Sequence, residues 1–400
     1  MTAARLAAGR GAPAAARSAP AGGPITILHA FSTFELGGPQ SRFLRLFDAF
    51  GDGYRHVVAA MDNCFDAAAR IEGDPKLELL RLPVRKGRGL ANVPMLRERI
   101  AQVAPDVLMS YNWGASEWML ANARLRVPQL HVEEGFGPEE TARRLWRRSV
   151  VRALAVRASG ATLVTVSETL AAIARREWHV PRARLITVPN GVDIARYRPG
   201  APRNFSRAGE LVVGTVAGLR REKRIDRLID AVALARQRGA NLRLVVAGDG
   251  AERAALERRI QDASLTGHCD LLGFVPDPAP LYGGFDVFGL SSDTEQMPIA
   301  LLEAMAAGRP AVATDVGDVR SILRSNLEAQ VVDLDAEAMA QALVRLANDP
   351  AARQRIGAAN AERAAAHYTE QRMVAAWRSL IDAAAARGAH RRQPRAVSAG

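Results

Sequence analysis

From residue 25 onward, short runs of β-branched and apolar residues alternate with longer Ala-rich amphipathic stretches. This alternation restricts the chain more than any other feature. Candidate strands are Ile25–Ala30, His56–Ala60, Val107–Ser110, Gln129–Val132 and Thr162–Val166. A second series follows at Val212–Ala217, Arg243–Ala247, Leu271–Leu272, Val287–Leu290, Ala311–Thr314 and Ala329–Val332. Helical spacing intervenes at Gln40–Phe50, Met95–Val103, Arg220–Arg238, Ala251–Ala263, Ile299–Ala307 and Ala336–Asn348. Strands that alternate with helices form parallel sheets covered on both faces. Each series suffices for one doubly wound α/β domain, and 400 residues accommodate two.

The stretch from Asn190 to Gly209 is dense in Pro, Gly, Asn and Ser and marks the expected boundary. The expected organisation is a disordered leader over 1–23, a first domain over 24–190 and a second over 191–369. A C-terminal helix at about 370–386 returns to the first domain, and a disordered tail covers 387–400. Open parallel sheets bind ligands beyond the carboxyl ends of their strands, so two such domains facing each other make one cleft.

Composition narrows the function classes. No apolar run reaches the roughly 18 residues that span a bilayer, and Arg152 and Arg157 break the longest, Val150–Val166. The net charge of +12 invites a nucleic-acid reading, but only three of the 54 basic residues are lysine and aromatics are 5%. Without aromatic–basic interleaving there is no base-stacking surface, so nucleic acid is not an expected partner. Cys64 and Cys269 are too far apart for a CxxC redox or zinc unit, which leaves a reducing cytoplasm as the expected compartment. The leader has no acidic residue before Glu35 and no continuous apolar core. It reads as disorder, or as an organelle transit peptide.

The stretch "SSDTEQMPIALLEAMAAGRPAVATDVGD" is the most informative. Pro298 stands where a helix begins and Gly308 where it ends. The helix therefore aims free N–H groups at the carboxyl edge of the preceding strand, an anion site that suits a diphosphate. Glu295 precedes the helix and Glu303 lies two turns into it. Two acids beside an anion site would repel the anion unless they bind something else. Carboxylates accept from sugar hydroxyls, so one can hold a ribose and the other a transferred sugar. Glu303 sits within "ALLEAMAAG", where a carboxylate is buried on one side and needs partners.

Glutamate, seven residues and glutamate within "TEQMPIALLEAMAAGRPAVATD" resemble the signature of the retaining GT-B glycosyltransferases of family 4. The motifs "ELGGPQSR", "VSETL", "VPNGVD", "GLRREKRIDRLIDA", "LVVAGDG" and "LLGFVPD" fit in order, from about Ile25 to Trp377. The resemblance implies two Rossmann-like domains facing across a cleft. It also implies transfer of a sugar from a nucleotide-diphosphate donor to a glycan or lipid-linked acceptor, with retention of configuration and with no metal or other cofactor. The implied donor-binding residues are Gly37, Gly38, Lys223, Phe274, Val275, Met297, Pro298, Ile299 and Glu303, with Glu295 and Glu134 in catalytic places. Lys223 would neutralise the departing diphosphate, and Phe274 and Val275 would present backbone to the base, either uridine or guanosine.

The chain departs from the family pattern at three places. Gly218 stands where an Arg is usual, with Arg220 and Arg221 nearby. Gln40 stands where many members carry an acid. Glu134 stands where a His is common, and either takes the acceptor proton or hydrogen-bonds the donor sugar. His131 is three residues earlier and reads as a packed strand residue.

Arg143, Arg144, Arg147, Arg148, Arg152 and Arg157 surround Leu145, Trp146, Val150 and Leu154. This basic amphipathic pattern, with Arg85, Lys86 and Arg88, suits either an anionic membrane surface or a solvated face. The expectation is a cytoplasmic protein, peripheral on the inner face of the membrane and acting in envelope polysaccharide or glycolipid synthesis. The rival readings are a non-catalytic sugar-nucleotide binder and another GT-B enzyme, such as an epimerase or phosphorylase.

Overall fold

The computed structural model describes residues 23–84, 89–136, 140, 145–198, 205–207, 209–324 and 330–392. Two parallel sheets account for the strands. The first contains β1 (Ile25–Phe31), β2 (Tyr54–Ala60), β3 (Leu77–Leu80), β4 (Val107–Tyr111), β5 (Gln129–Glu133), β6 (Thr162–Thr165) and β7 (Leu185–Thr187), in the order β3-β2-β1-β4-β5-β6-β7. The second contains β8 (Leu211–Val216), β9 (Leu242–Ala247), β10 (Cys269–Leu271), β11 (Val287–Leu290), β12 (Ala311–Thr314) and β13 (Val331–Val332), in the order β10-β9-β8-β11-β12-β13. Both follow the doubly wound pattern, in which the strand order reverses beside the first strand. The expected α/β class with two Rossmann-like sheets is thus present.

The chain packs as two compact units, Met1–Leu130 with Ile381–Gly400, and His131–Leu380. In sequence the two sheets are separated by the expected Pro- and Gly-rich stretch, since β7 ends at Thr187 and β8 begins at Leu211. In the first unit, β1 pairs with β2 from Ile25↔Tyr54 to Phe31↔Ala60 and with β4 from Ile27↔Val107. Its helix Gly38–Phe50 starts beside Pro39 and buries Phe43, Leu44, Phe47 and Phe50 at helical spacing. In the second unit, neighbouring residues of one strand enter opposite cores. Val213, Leu244 and Val246 join one hydrophobic cluster, and Val212, Val245 and Ala247 the other. A sheet buried on both faces is what makes these strands continuous apolar runs in the sequence.

Two expected helix boundaries change. The helix expected over Arg220–Arg238 begins only at Ile225. A single 3₁₀ turn, Arg221–Lys223, comes first, and Arg224 at φ +48° breaks the register between them. The C-terminal helix runs from Glu370 to Arg392, six residues into the segment expected as a disordered tail. Its last turns belong to the first unit, where Tyr54 donates to Asp382 Oδ1 at 2.6 Å. The leader through residue 22 and the tail from 393 lie outside the described residues, as do Arg85, Lys86, Arg88, Arg143 and Arg144.

Candidate active site

In the second sheet the strand order reverses between β8 and β11, so the loops after these two strands form its binding crevice. Lys223 arrives on the first loop and Glu295 on the second. The Lys223 ammonium donates to Glu295 Oε1 at 2.6 Å, and Ser292 Oγ donates to the same oxygen at 2.8 Å. Both charged side chains are largely covered, at 19% and 12% exposure. The loops are stitched by backbone as well. Asp293 N donates to Glu222 O at 2.9 Å, and Ser291 Oγ donates to Lys223 O at 3.0 Å. Asp293 also receives Arg227 at 2.5 Å and Arg224 at 3.3 Å.

The segment Glu295–Pro298 is held from several sides within the second unit. Asp318 N donates to Gln296 O at 3.0 Å, Asn190 Nδ2 to Met297 O at 3.2 Å, and Ser167 Oγ to Gln296 Oε1 at 3.1 Å. Both Asp318 oxygens accept from the start of helix Glu168–Arg176, at Glu168 N and Thr169 N. Beneath lies Gly317, whose φ of +53° is open to glycine and costly for other residues. A Cβ there would fall 2.2 Å from Glu295 O.

Helix Ile299–Ala306 follows with no side-chain cap. Leu301 and Leu302 donate back to Pro298 O, and the N–H groups of Ile299 and Ala300 have no protein partner among the described residues. These orphan donors carry the positive end of the helix dipole. Further along the same helix, Glu303 is buried at 7% exposure. The partners its burial demands include two tyrosines: Tyr197 donates to Oε1 and Tyr282 to Oε2, both at 2.7 Å. Burial first, and the Glu303 charge second, push the Tyr282 phenol well above its ordinary pKa, so it remains a donor. A carboxylate has about four lone-pair sites, more than the two phenols occupy.

Of the remaining expected site residues, Glu134 is half-buried in the loop after β5. The next residue, Gly135, lies against the Glu295–Pro298 segment: a Cβ there would be 3.4 Å from Gln296 Cγ. Phe274 is 65% exposed, and Val275 packs on the core of the second sheet. Gly37 and Gly38 lie in the first unit, at the start of helix Gly38–Phe50. Gln40 is buried and donates to Thr33 O at 2.8 Å, so it pins the loop that precedes the helix. Cys64 and Cys269 are free thiols, and burial pushes the Cys269 thiol up to about 12. Among the described residues, one group has potential metal-ligating atoms close together, Glu35, Cys64 and Asp66 in the first unit, and none of them belongs to the expected donor set.

The basic cluster expected at a membrane surface divides in two. Arg152 is not on the surface. It is 1% exposed, bonded to Glu133 Oε1 at 2.9 Å and to Glu140 Oε2 at 3.1 Å, and stacked over Trp178 at 4.9 Å. Arg148 also reaches Glu140, at 3.3 Å. The reason is charge pairing: two buried carboxylates need a buried cation. His131 is buried beside Glu133 at 3.5 Å, in keeping with a packed strand residue. The opposite face of helix Trp146–Ser159 is open. Trp146, Val150 and Leu154, spaced four apart, are 72%, 46% and 60% exposed, with Arg147 and Arg157 also exposed. No helix among the described residues is long and apolar enough to cross a membrane.

Tyr197, Tyr282, Asn190 and Asp318 escape the sequence reading as site residues. One signal was available, since the chain has only five tyrosines and one of them closes the "VPNGVDIARY" stretch.

Known proteins resemble the chain in sequence and in fold. Residues 36–196 match the model "Glycosyltransferase Family 4", and residues 201–363 match "Glycosyl transferases group 1". A GDP-mannose-dependent alpha-mannosyltransferase of Mycobacterium tuberculosis is 30% identical over 264 residues, 62% of this chain and 64% of that one. A D-inositol 3-phosphate glycosyltransferase of Rhodococcus opacus is 30% identical over 255 residues, 60% of this chain and 56% of that one. The chain thus spans less than two thirds of the length of these relatives. Among solved structures, a Rickettsia africae glycosyltransferase superposes with a TM-score of 0.75 at 14% identity, covering 90% of this chain and 98% of its own. Anabaena HepE in complex with UDP gives 0.74 at 18% identity, covering 90% and 100%. With one family match on each sheet, and with the fold of both sheets shared with these structures, the chain belongs to the superfamily of GT-B-fold glycosyltransferases that includes family 4 and group 1.

Proposed function

We propose that the chain is a retaining glycosyltransferase that moves a sugar from a nucleotide-diphosphate donor to a glycan or lipid-linked acceptor, with no metal. One observation carries this reading. A lysine–glutamate pair, the orphan N–H groups of a helix and a second, tyrosine-held glutamate follow one another along the crevice of the second sheet. In this reading residues 191–369 hold the donor and residues 24–190 serve the acceptor. Glu303 accepts from the ribose hydroxyls, and Tyr197 and Tyr282 fix its orientation. The N–H groups of Ile299 and Ala300 and the Lys223 ammonium face the diphosphate. Glu295 accepts from a hydroxyl of the transferred sugar.

The bond from the anomeric carbon to the diphosphate oxygen breaks, and a bond to the acceptor oxygen forms on the same face. The acceptor proton passes to the departing diphosphate. The protein supplies positioning and electrostatic stabilisation. Glu134 and the backbone of Phe274 and Val275 complete the sugar and base contacts.

The mannosyltransferase relative is described as GDP-mannose-dependent, and the Anabaena structure holds UDP, so the test must span both bases. A panel of uridine and guanosine diphosphate sugars is measured for thermal stabilisation and for release of free nucleotide. One donor is expected to give both signals, and Glu303→Ala to lose both. Stabilisation without release by any donor and acceptor would turn the reading into that of a sugar-nucleotide binder.

We place the acceptor at an anionic membrane on the cytoplasmic side. The exposed Trp146–Val150–Leu154 stripe flanked by Arg147 and Arg157 supports this. Co-sedimentation with anionic vesicles at low salt is expected, and Trp146→Glu should reduce it. Absence of wild-type binding would end the idea.

A further inference from the structure

We propose that Arg220 supplies an exchangeable positive charge for the donor's diphosphate, trading its present partner Glu222 for phosphate oxygens. The inference rests on the function proposed above.

The charges around the crevice lead to it. The Lys223 ammonium is already matched by Glu295, so the pair brings no net charge to a ligand. Arg224 is bonded to Asp226 and Asp293, and Arg227 to Asp293 and to Ser291 O. These two bind the loops together, and their movement would loosen Glu295 as well. A diphosphate carries at least two negative charges, and two helix N–H groups supply only partial ones. Another cation must meet it.

Arg220 fits on three counts. Its guanidinium is 64% exposed and has one carboxylate partner, Glu222, at 3.1 Å. So exposed a pair holds weakly and exchanges readily for a stronger anion. A guanidinium fork also matches two phosphate oxygens at once. Finally, Arg220 stands over Gly218. A Cβ built on Gly218 would meet Arg220 Nε at 3.8 Å and Asp249 O at 3.9 Å. The guanidinium therefore lies where a side chain of residue 218 would project, beside the carboxyl ends of β8 and β9. The backbone fixes this placement, since Arg220 N donates to Gly218 O and Leu219 N to Asp249 O, both at 2.9 Å. Glycine at 218 is what leaves the space free.

The test compares nucleoside diphosphate with nucleoside monophosphate, using the base that the wild type prefers, by titration calorimetry. Arg220→Ala is expected to weaken the diphosphate about tenfold or more, as befits loss of a charged hydrogen bond, with the monophosphate changed much less. The diphosphate should be bound at least as tightly by Glu222→Gln, which frees Arg220. Gly218→Arg combined with Arg220→Ala should recover affinity, because the new side chain enters the same space. The proposal is overturned if Arg220→Ala binds diphosphate like wild type, if it loses both ligands equally, or if the loss appears in Arg221→Ala instead. A wild type that binds no nucleoside diphosphate overturns the proposed function itself. Normal wild-type binding unaffected by Arg220→Ala overturns only this inference.

Discussion

Two clusters of opposite charge in the second unit are built from the same residue types to different ends. Around Arg152, two carboxylates, a stacked indole and near-complete burial close the cluster on itself. Around Glu295, a lysine and a serine hydroxyl share one carboxylate oxygen, and the pair keeps a margin of exposure next to orphan N–H groups. The first arrangement is sealed from solvent and the second is reachable from it. Opposite charges alone therefore do not mark a site; a solvent-reachable pair at a sheet's reversal point does.

This contrast breaks most visibly at Arg152. Arg152→Ala strands Glu133 and Glu140 in the interior, and a loss of about 3–5 kcal/mol is expected in denaturant unfolding. A loss under about 1 kcal/mol would mean that the cluster is not closed. Glu295→Gln sharpens the other side. The amide retains an acceptor oxygen, so the Tm should hold while kcat falls on the order of 100-fold or more. A large fall in Tm with intact turnover would exchange the roles of the two clusters.

A third buried group is a pair of imidazoles. In the first unit, His29 Nδ1 contacts Tyr111 Oη at 2.9 Å and His29 Nε2 contacts His56 Nδ1 at 3.0 Å, both rings buried. Burial, then the His56 charge, holds His29 well below its ordinary pKa. Burial, then Lys76, lowers His56 to about 4. Both rings are neutral in the folded chain and take up protons on unfolding. Their contribution is therefore complete above about pH 6.5, and the His56 part of it is lost as the pH falls through about 4. His56→Phe should flatten the fall in unfolding free energy between these limits, by up to roughly 3 kcal/mol. Identical slopes for variant and wild type would show that the pair titrates alike in both states.

What the sequence reveals follows from which interactions are local. Val287–Leu290 and Ala311–Thr314 are legible to the residue, because central parallel strands buried on both faces are unbroken apolar runs. Leu77–Leu80 and Leu185–Thr187 escape because they are short edge strands and only partly buried. Glu295, Glu303 and Lys223 declare themselves by their spacing and by lysine's rarity. Tyr282 does not, since its bond to Glu303 joins residues 21 apart that come together only on folding. Arg152 is misread for a similar reason. A helix carrying several arginines does not disclose which one turns inward until Glu133 and Glu140 are placed beside it.

Gly317 carries a consequence for mutational tolerance. The backbone that presents Glu295 rests on a position where even one methyl group would overlap a carbonyl oxygen. A library randomised at residue 317 should therefore return glycine alone among active clones. Inactive clones would fail through displacement of an untouched glutamate, so a scan that scores only side-chain removal would overlook the residue on which the geometry depends.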